Sequence, residues 1–430
     1  MEPKIIGVCV LAALAILCMA GAGCTGTAPA DAVPPTMEEQ PGAESASPAE
    51  ETVADASNRF ACDLYSRLAA DPEYSESNLF FSPFSLSSAC AITSEGARGT
   101  TADEIRSVLH FPDDSATLRE GFSGMDARLN TGDASYTLRT ANALWAEKTH
   151  GFLPDYIATA ETWYGAKTTN LDFITAPDES RQIINTWVEN ETGQKIRELI
   201  PPDAIDPQTR LVITNAIYFR GDWVFEFDKN KTREADFITA SGTTVRVPMM
   251  ERTDENAVYR YAESGDLQLL GMPYEHGSGT KLSMIVLLPK GDDLSVIERS
   301  LTAENLAAWQ ESATSRRVRV WLPKFTLETK YFLPKTLSEM GMPTAFTTAA
   351  DFSGLDGSRD LFITDVIHQA CLDVNEEGTE AAAATAVILG KGIAGPAPVF
   401  RADHPFLFLI QDDETGTILF MGRVVAPDGS

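Results

Sequence analysis

The chain reads as an α+β domain. Its opening stretch carries helix-type apolar spacing, the remainder is dominated by short apolar runs bounded by turn residues, and no repeat or composition break interrupts residues 58–427. Helices first and hairpin-connected strands afterwards suits helices packed beside sheets better than a repeating βαβ unit. With 430 residues, 43% of them hydrophobic, the chain can bury one large core.

The elements follow in order. Arg59 to Ala70 places Phe60, Leu64 and Leu68 on one helical face. A short apolar strand and a turn follow within Asn78–Pro83, and Ser82-Pro83 then looks like a helix start, because proline is tolerated in a first turn. Phe84–Thr93 is almost wholly apolar or small, which predicts a helix buried all round. Ala102–Leu109 is a third helix. Strands are expected at Tyr136–Trp145, Ala166–Phe173, Leu211–Tyr218, Ala257–Tyr261, Leu267–Pro273, Leu282–Leu288 and Val318–Pro323. Helices are expected between them at Pro154–Thr162, Ser180–Glu191, Leu294–Ser300 and Thr302–Glu311, with a later one at Tyr331–Met340. Two apolar strands, Phe406–Gln411 and Ile418–Val424, close the chain around a turn-rich Asp412–Gly416.

The first 57 residues read differently. Lys4 precedes the uncharged apolar run Ile5–Ala22, and Gly21-Ala22-Gly23-Cys24 places small residues before a cysteine. This resembles a lipoprotein signal (residues 1–24), in which Cys24 is lipidated and becomes the mature N-terminus. Gly21 departs from the branched aliphatic usual there, and a simply cleaved signal or an uncleaved anchor helix are the alternatives. Residues 25–57 hold five prolines, seven acids, no Lys or Arg and no aromatic residue, a composition expected of a solvated tether. Its expected reach is about 30 Å. The chain is therefore expected to be exported, and either tethered to the outer face of the cell membrane or secreted.

A net charge of -28, from 34 basic and 62 acidic residues, excludes a nucleic-acid binder. No G-x-S-x-G, H-E-x-x-H, Walker loop, G-x-G-x-x-G or C-x-x-C occurs, and the five histidines have no companions at ligand spacing, so no metal, cofactor or catalytic centre is expected. A triad assembled from distant residues is the remaining enzyme reading. Cys62, Cys90 and Cys371 fit buried small hydrophobes better than a disulfide framework, with one bridge left open.

Residues Glu376 to Gly395 fit no ordinary element. Four alanines after a Glu pair favour a helix by propensity, yet no 3.6-residue apolar face exists to dock it. With period 2, Thr379, Ala381, Ala383, Thr385, Val387 and Leu389 form an uncharged, mostly small face. The segment is either a flexible linker or a chain able to become a strand within an existing sheet.

At this point the chain resembles the serpin family. Glu376, Glu377, Gly378, Thr379, Glu380, Ala381, Ala382, Ala383, Ala384 and Thr385 look like the hinge of an inhibitory reactive loop (about 376–398), and Phe400–Ile410 fits the family's C-terminal signature. Asn78–Ser85, Gly96–Thr101, Asn215–Trp223 and Val366–Ala370 also match, in family order, so the resemblance covers residues 58–427. It implies a serpin fold of three β-sheets and eight or nine helices with an exposed reactive loop. It implies inhibition of a serine protease, trypsin-like or subtilisin-like, or of a cysteine protease, by a covalent acyl complex with a monomer. A non-inhibitory binding or chaperone module is the alternative. Counting along the loop places the reactive bond at Gly392-Ile393 or Lys391-Gly392. Ser82, Ser85, Asn215 and His368 match positions beneath the opening sheet, and Trp223 the lock where insertion begins. Heparin-type activation is not expected, because Ala116–Asn130 offers only Arg119 and Arg128 against Glu120 and Asp126.

Overall fold

A computed structural model describes residues 45–130, 136–255, 257–277, 279–379 and 396–427. Among the described residues it contains three sheets and ten α-helices, two of them, Ser295–Glu298 and Ser353–Asp356, a single turn.

The first helix runs Pro48–Ala70, eleven residues earlier at its start than the spacing predicts. Ser47 caps it: its hydroxyl accepts from Glu50 N–H while the Glu50 carboxylate accepts from Ser47 N–H, a reciprocal capping box. Val53 then packs on Gly121 of the helix Ser115–Leu129, where a Cβ would lie 2.4 Å from a Val53 methyl. The expected tether therefore stops short of Ser57, because Val53, Ala54 and Ala56 are buried against a partner that composition does not reveal. The helix Ser115–Leu129, capped by Asp114, lies where the family resemblance implies one, at Ala116–Asn130.

The predicted buried helix is Pro83–Gly96, capped by Ser82, with almost every side chain inside. Tyr331 and Phe332 end a strand, Phe325–Phe332, rather than start a helix; the helix begins at Pro334, where proline suits a first turn. Strands Arg233–Ile238 and Thr244–Arg252 extend the predicted set, and Val366–Ala370, the strand that the resemblance implies before the hinge, lies within Ile363–Val374. Several carry charges on an outward face, which weakens their apolar signal.

The sheet that matters for function has six strands in the order Phe325–Phe332, Ile363–Val374, Gly378–Thr379, Leu211–Asp222, Tyr136–Glu147, Lys167–Leu171. Leu211–Asp222 and Ile363–Val374 also pair directly and in parallel, His368 opposite Asn215. One face buries Ile213, Ile217, Phe219 and Val366 in the main core. On the other, Trp145, Ala216 and Ile367 pack with Ile184 and Val188 of the helix Pro177–Glu191 and with Ile196 and Ile200 after it. The C-terminal strands Phe406–Asp412 and Ile418–Val424 lie inside a seven-stranded sheet with Leu79–Phe81, and a four-stranded sheet completes the domain.

Candidate functional site: a sheet opening and its polar row

The strand Ile363–Val374 ends at a turn and the chain returns as Gly378–Thr379, wedged antiparallel between the two neighbouring strands. Thr379 lies opposite Val374 on one side and Gly221 on the other, and Gly378 lies opposite Asp222. The approach is close enough to require glycine: a Cβ on Gly378 would sit 2.2 Å from the Gly221 carbonyl oxygen. Below this wedge the two strands are paired to each other.

Trp223 organises the turn. Its indole N–H donates to Asn375 O (3.1 Å) and its backbone N–H to Glu377 O (2.9 Å), while its ring stacks on Tyr274 with centroids 4.4 Å apart. The Thr379 hydroxyl lies 2.9 Å from that of Tyr274, and both residues are wholly buried. Asn375 Oδ1 accepts from Glu377 N–H (3.0 Å) and closes the turn.

The two glutamates are held from opposite sides. Thr232 Oγ1 donates to Glu376 (2.7 Å) and Lys324 pairs with it at 3.1 Å, while Lys229 pairs with Glu377. Burial alone would raise the Glu376 carboxyl, but these donors outweigh it and hold the group below the usual carboxylate range. Nearby, burial and then the charges of Glu377 and Asp222 push Glu226 upward.

Deeper in the sheet, four strands place Tyr331, His368, Asn215 and Asn142 in one row by register. Ser82 N–H donates to His368 Nε2 (3.0 Å), so the ring carries its proton on Nδ1 and donates to Asn215 Oδ1 (2.5 Å). Asn215 Nδ2 donates to Asn142 Oδ1 (2.5 Å) and to Ser85 Oγ. Ser82 Oγ donates to Leu419 O (2.6 Å), tying the row to the C-terminal strand. Complete burial drives the His368 imidazole down to about 3, the neutral form being the one that this network can hold. Ser82, Ser85, Asn215 and His368 are thus brought together. Asn142, with Ser88 behind it (3.4 Å), joins them without any sequence motif of its own.

Other expected residues lie elsewhere. Glu380, Ala381, Ala382, Ala383, Ala384 and Thr385 of the hinge, the bond-flanking Lys391, Gly392 and Ile393, and Cys24 lie outside the described residues. Cys62, Cys90 and Cys371 are free thiols, and no cluster of metal ligands occurs among the described residues. Arg119 is engaged by Glu95 and Arg128 by Glu50 and Glu414, which leaves little cation on the helix Ser115–Leu129 for a polyanion.

A family model described as Serpin (serine protease inhibitor) matches residues 55–427. The chain belongs to the serpin family. Leukocyte elastase inhibitor of Bos taurus is 40% identical over 384 residues, covering 88% of this chain and all of the bovine protein. Among solved serpin structures, an Arabidopsis serpin in its native stressed conformation superposes with a TM-score of 0.79 at 28% identity, covering 89% of this chain and 99% of that one. Human thyroxine-binding globulin, complexed with thyroxine, superposes equally well, with a TM-score of 0.79 at 30% identity over 88% and 99% of the two chains. The serpin fold expected from the sequence is the one observed, with ten α-helices among the described residues where eight or nine were expected, two of the ten being single turns.

Proposed function

We propose that this serpin is a protease inhibitor, not an enzyme, and that it acts as a suicide substrate of a serine protease. The observation that carries the proposal is the continuity between Thr379, seated at the top of the gap between Leu211–Asp222 and Ile363–Val374, and the uncharged, mostly small alternate residues that follow it. The protease serine attacks the carbonyl of the reactive bond near Lys391–Ile393, the amine of the downstream residue leaves, and an acyl-enzyme remains on the upstream segment. That segment enters the sheet below Thr379 as a new strand, parting the two strands that now pair with each other and carrying the protease with it.

The energy scale is adequate. About a dozen residues forming ladder bonds at ~1 kcal/mol net each give on the order of 10 kcal/mol. Protease domains are stable by ~5–15 kcal/mol, so insertion can deform a bound enzyme. Charge on the inward face would subtract several kcal/mol, and Thr379, Ala381, Ala383, Thr385, Val387 and Leu389 are all neutral.

The export signal adds a location. We read Cys24 as the lipidated residue and the segment after it as a spacer, which would hold a monomeric inhibitor close to the outer face of a membrane. The rival reading is a carrier or binding module, favoured by the likeness to a thyroxine-complexed globulin. Incubation with trypsin, leukocyte elastase and subtilisin, followed by denaturing electrophoresis, separates the two. A complex that survives SDS supports inhibition; cleavage of the loop without a complex by every enzyme supports the carrier.

A further inference from the structure

After the helix Pro177–Glu191 the chain crosses the six-stranded sheet on its outer face, anchored by the buried side chains of Ile196, Leu199, Ile200 and Ile205. A cleft of about 410 Å3 remains under this crossing. Arg197, Glu198 and Pro201 form one wall; Glu328, Lys330 and Gln369 form the other, on Phe325–Phe332 and Ile363–Val374.

Gln369 is the unusual member. It is 2% exposed, directly after His368 and opposite Ala216 and Lys330 in register. Its Nε2 donates to Glu328 Oε1 (3.0 Å), which fixes the amide orientation, because a carboxylate can only accept. Its Oε1 is then left buried with no donor, a state that costs about 1–3 kcal/mol. Lys330 donates to the Glu198 carbonyl (2.9 Å) and has no carboxylate within ion-pair distance among the described residues. Burial depresses its ammonium below the ordinary lysine range. Along its strand wall the cleft thus sets an unfilled acceptor and a carboxylate next to a cation that has no close ion pair, with two acids and two bases in all.

We propose that this cleft binds a small zwitterion, a free α-amino acid or a dipeptide, through its ammonium to Gln369 Oε1 and Glu328 and its carboxylate to Lys330. A ligand so placed bridges the Arg197–Pro201 crossing to the strands beneath. A strand entering between Leu211–Asp222 and Ile363–Val374 would meet that crossing with its outward side chains, so the ligand would slow insertion. This consequence rests on the mechanism proposed above; the binding does not.

The test is calorimetric titration of the intact chain with glycine, L-serine, L-glutamine and glycylglycine, with acetate and methylammonium as single-charge controls. At least one zwitterion is expected to bind saturably, at least tenfold more tightly than either control. Gln369→Met and Lys330→Met are each expected to weaken binding about tenfold or more, the loss of one hydrogen bond to a charged group. If neither variant folds, hydrogen exchange of the wild-type protein serves, with protection of the 197–200 amides expected to rise with ligand. No saturable binding by any of the four zwitterions, equal binding by acetate, or binding and protection unaffected by the substitutions and the ligand would overturn the proposal. Binding in a protein that traps no protease would leave the site standing and remove only the mechanism above.

Discussion

The hydroxyl of Thr379 lies 2.9 Å from that of Tyr274, which is stacked on Trp223. The first inward-facing residue of the loop is therefore already seated, and the tryptophan that holds the preceding turn also backs the seat.

Thr379→Arg brings a guanidinium to this wholly buried seat beside the Tyr274 hydroxyl. The expected outcome is a protein still cleaved in its loop but trapping no protease, with cleavage stoichiometry rising at least about tenfold, since several kcal/mol of insertion drive are lost. Gel analysis of complex against cleaved product measures it. Unaltered trapping would show that the inward face is assigned wrongly.

His368 predicts a pH dependence. Its folded value, near 3, lies below the ordinary 6.5 of an unfolded histidine, so the unfolded chain takes up the proton first. Stability from this group is complete above about pH 6.5 and declines as pH falls toward 3, by on the order of 5 kcal/mol at full extent. Urea midpoints between pH 7 and pH 4 should fall less in His368→Gln than in the wild-type chain. Parallel slopes would remove His368 as the cause.

Nicking the loop between Leu389 and Ala394 should free the upstream segment to insert. A gain on the order of 10 kcal/mol would raise the thermal midpoint by roughly 10–15 °C for a domain of this size. An unchanged midpoint by calorimetry would argue against insertion.

The cleavage point is open to mass spectrometry of the C-terminal fragment released from a complex. A fragment beginning at Gly392 implicates Lys391 and a trypsin-like enzyme, because lysine can pair with an acid in the primary pocket. One beginning at Ile393 places Gly392 at the reactive position. A fragment beginning before Gly390 or after Gly395 would discard both assignments.

Cys24→Ala should shift the protein from the membrane fraction to the medium of cells expressing the full chain, read by immunoblot. Full retention in the membrane would favour Ile5–Ala22 as an uncleaved anchor.

Much of the site is legible from residues alone. Ser82-Pro83 announces a capped helix start, and the helix begins there; Ile418–Val424 is found where its apolar run lies. The early start of the first helix was also written in the chain, as Ser47 with Glu50 three residues on, but acidic, proline-rich surroundings obscured it. Asn142 is a different case. A single asparagine in a strand carries no signature, and it reaches Asn215 only because two strands pair in a register that sets them opposite each other.

Residue type and local spacing were enough to show the family, the uncharged alternate residues from Thr379 to Leu389 and the polar residues placed in order along the chain. Tertiary structure alone decided that Thr379 sits inside the sheet under Tyr274, that His368 is held neutral, and that Gln369 Oε1 is left without a donor. Each of those depends on what lies across a strand or beneath a crossing segment. Such contacts join residues more than 100 positions apart, as Tyr274 and Thr379 are, and no local pattern encodes them.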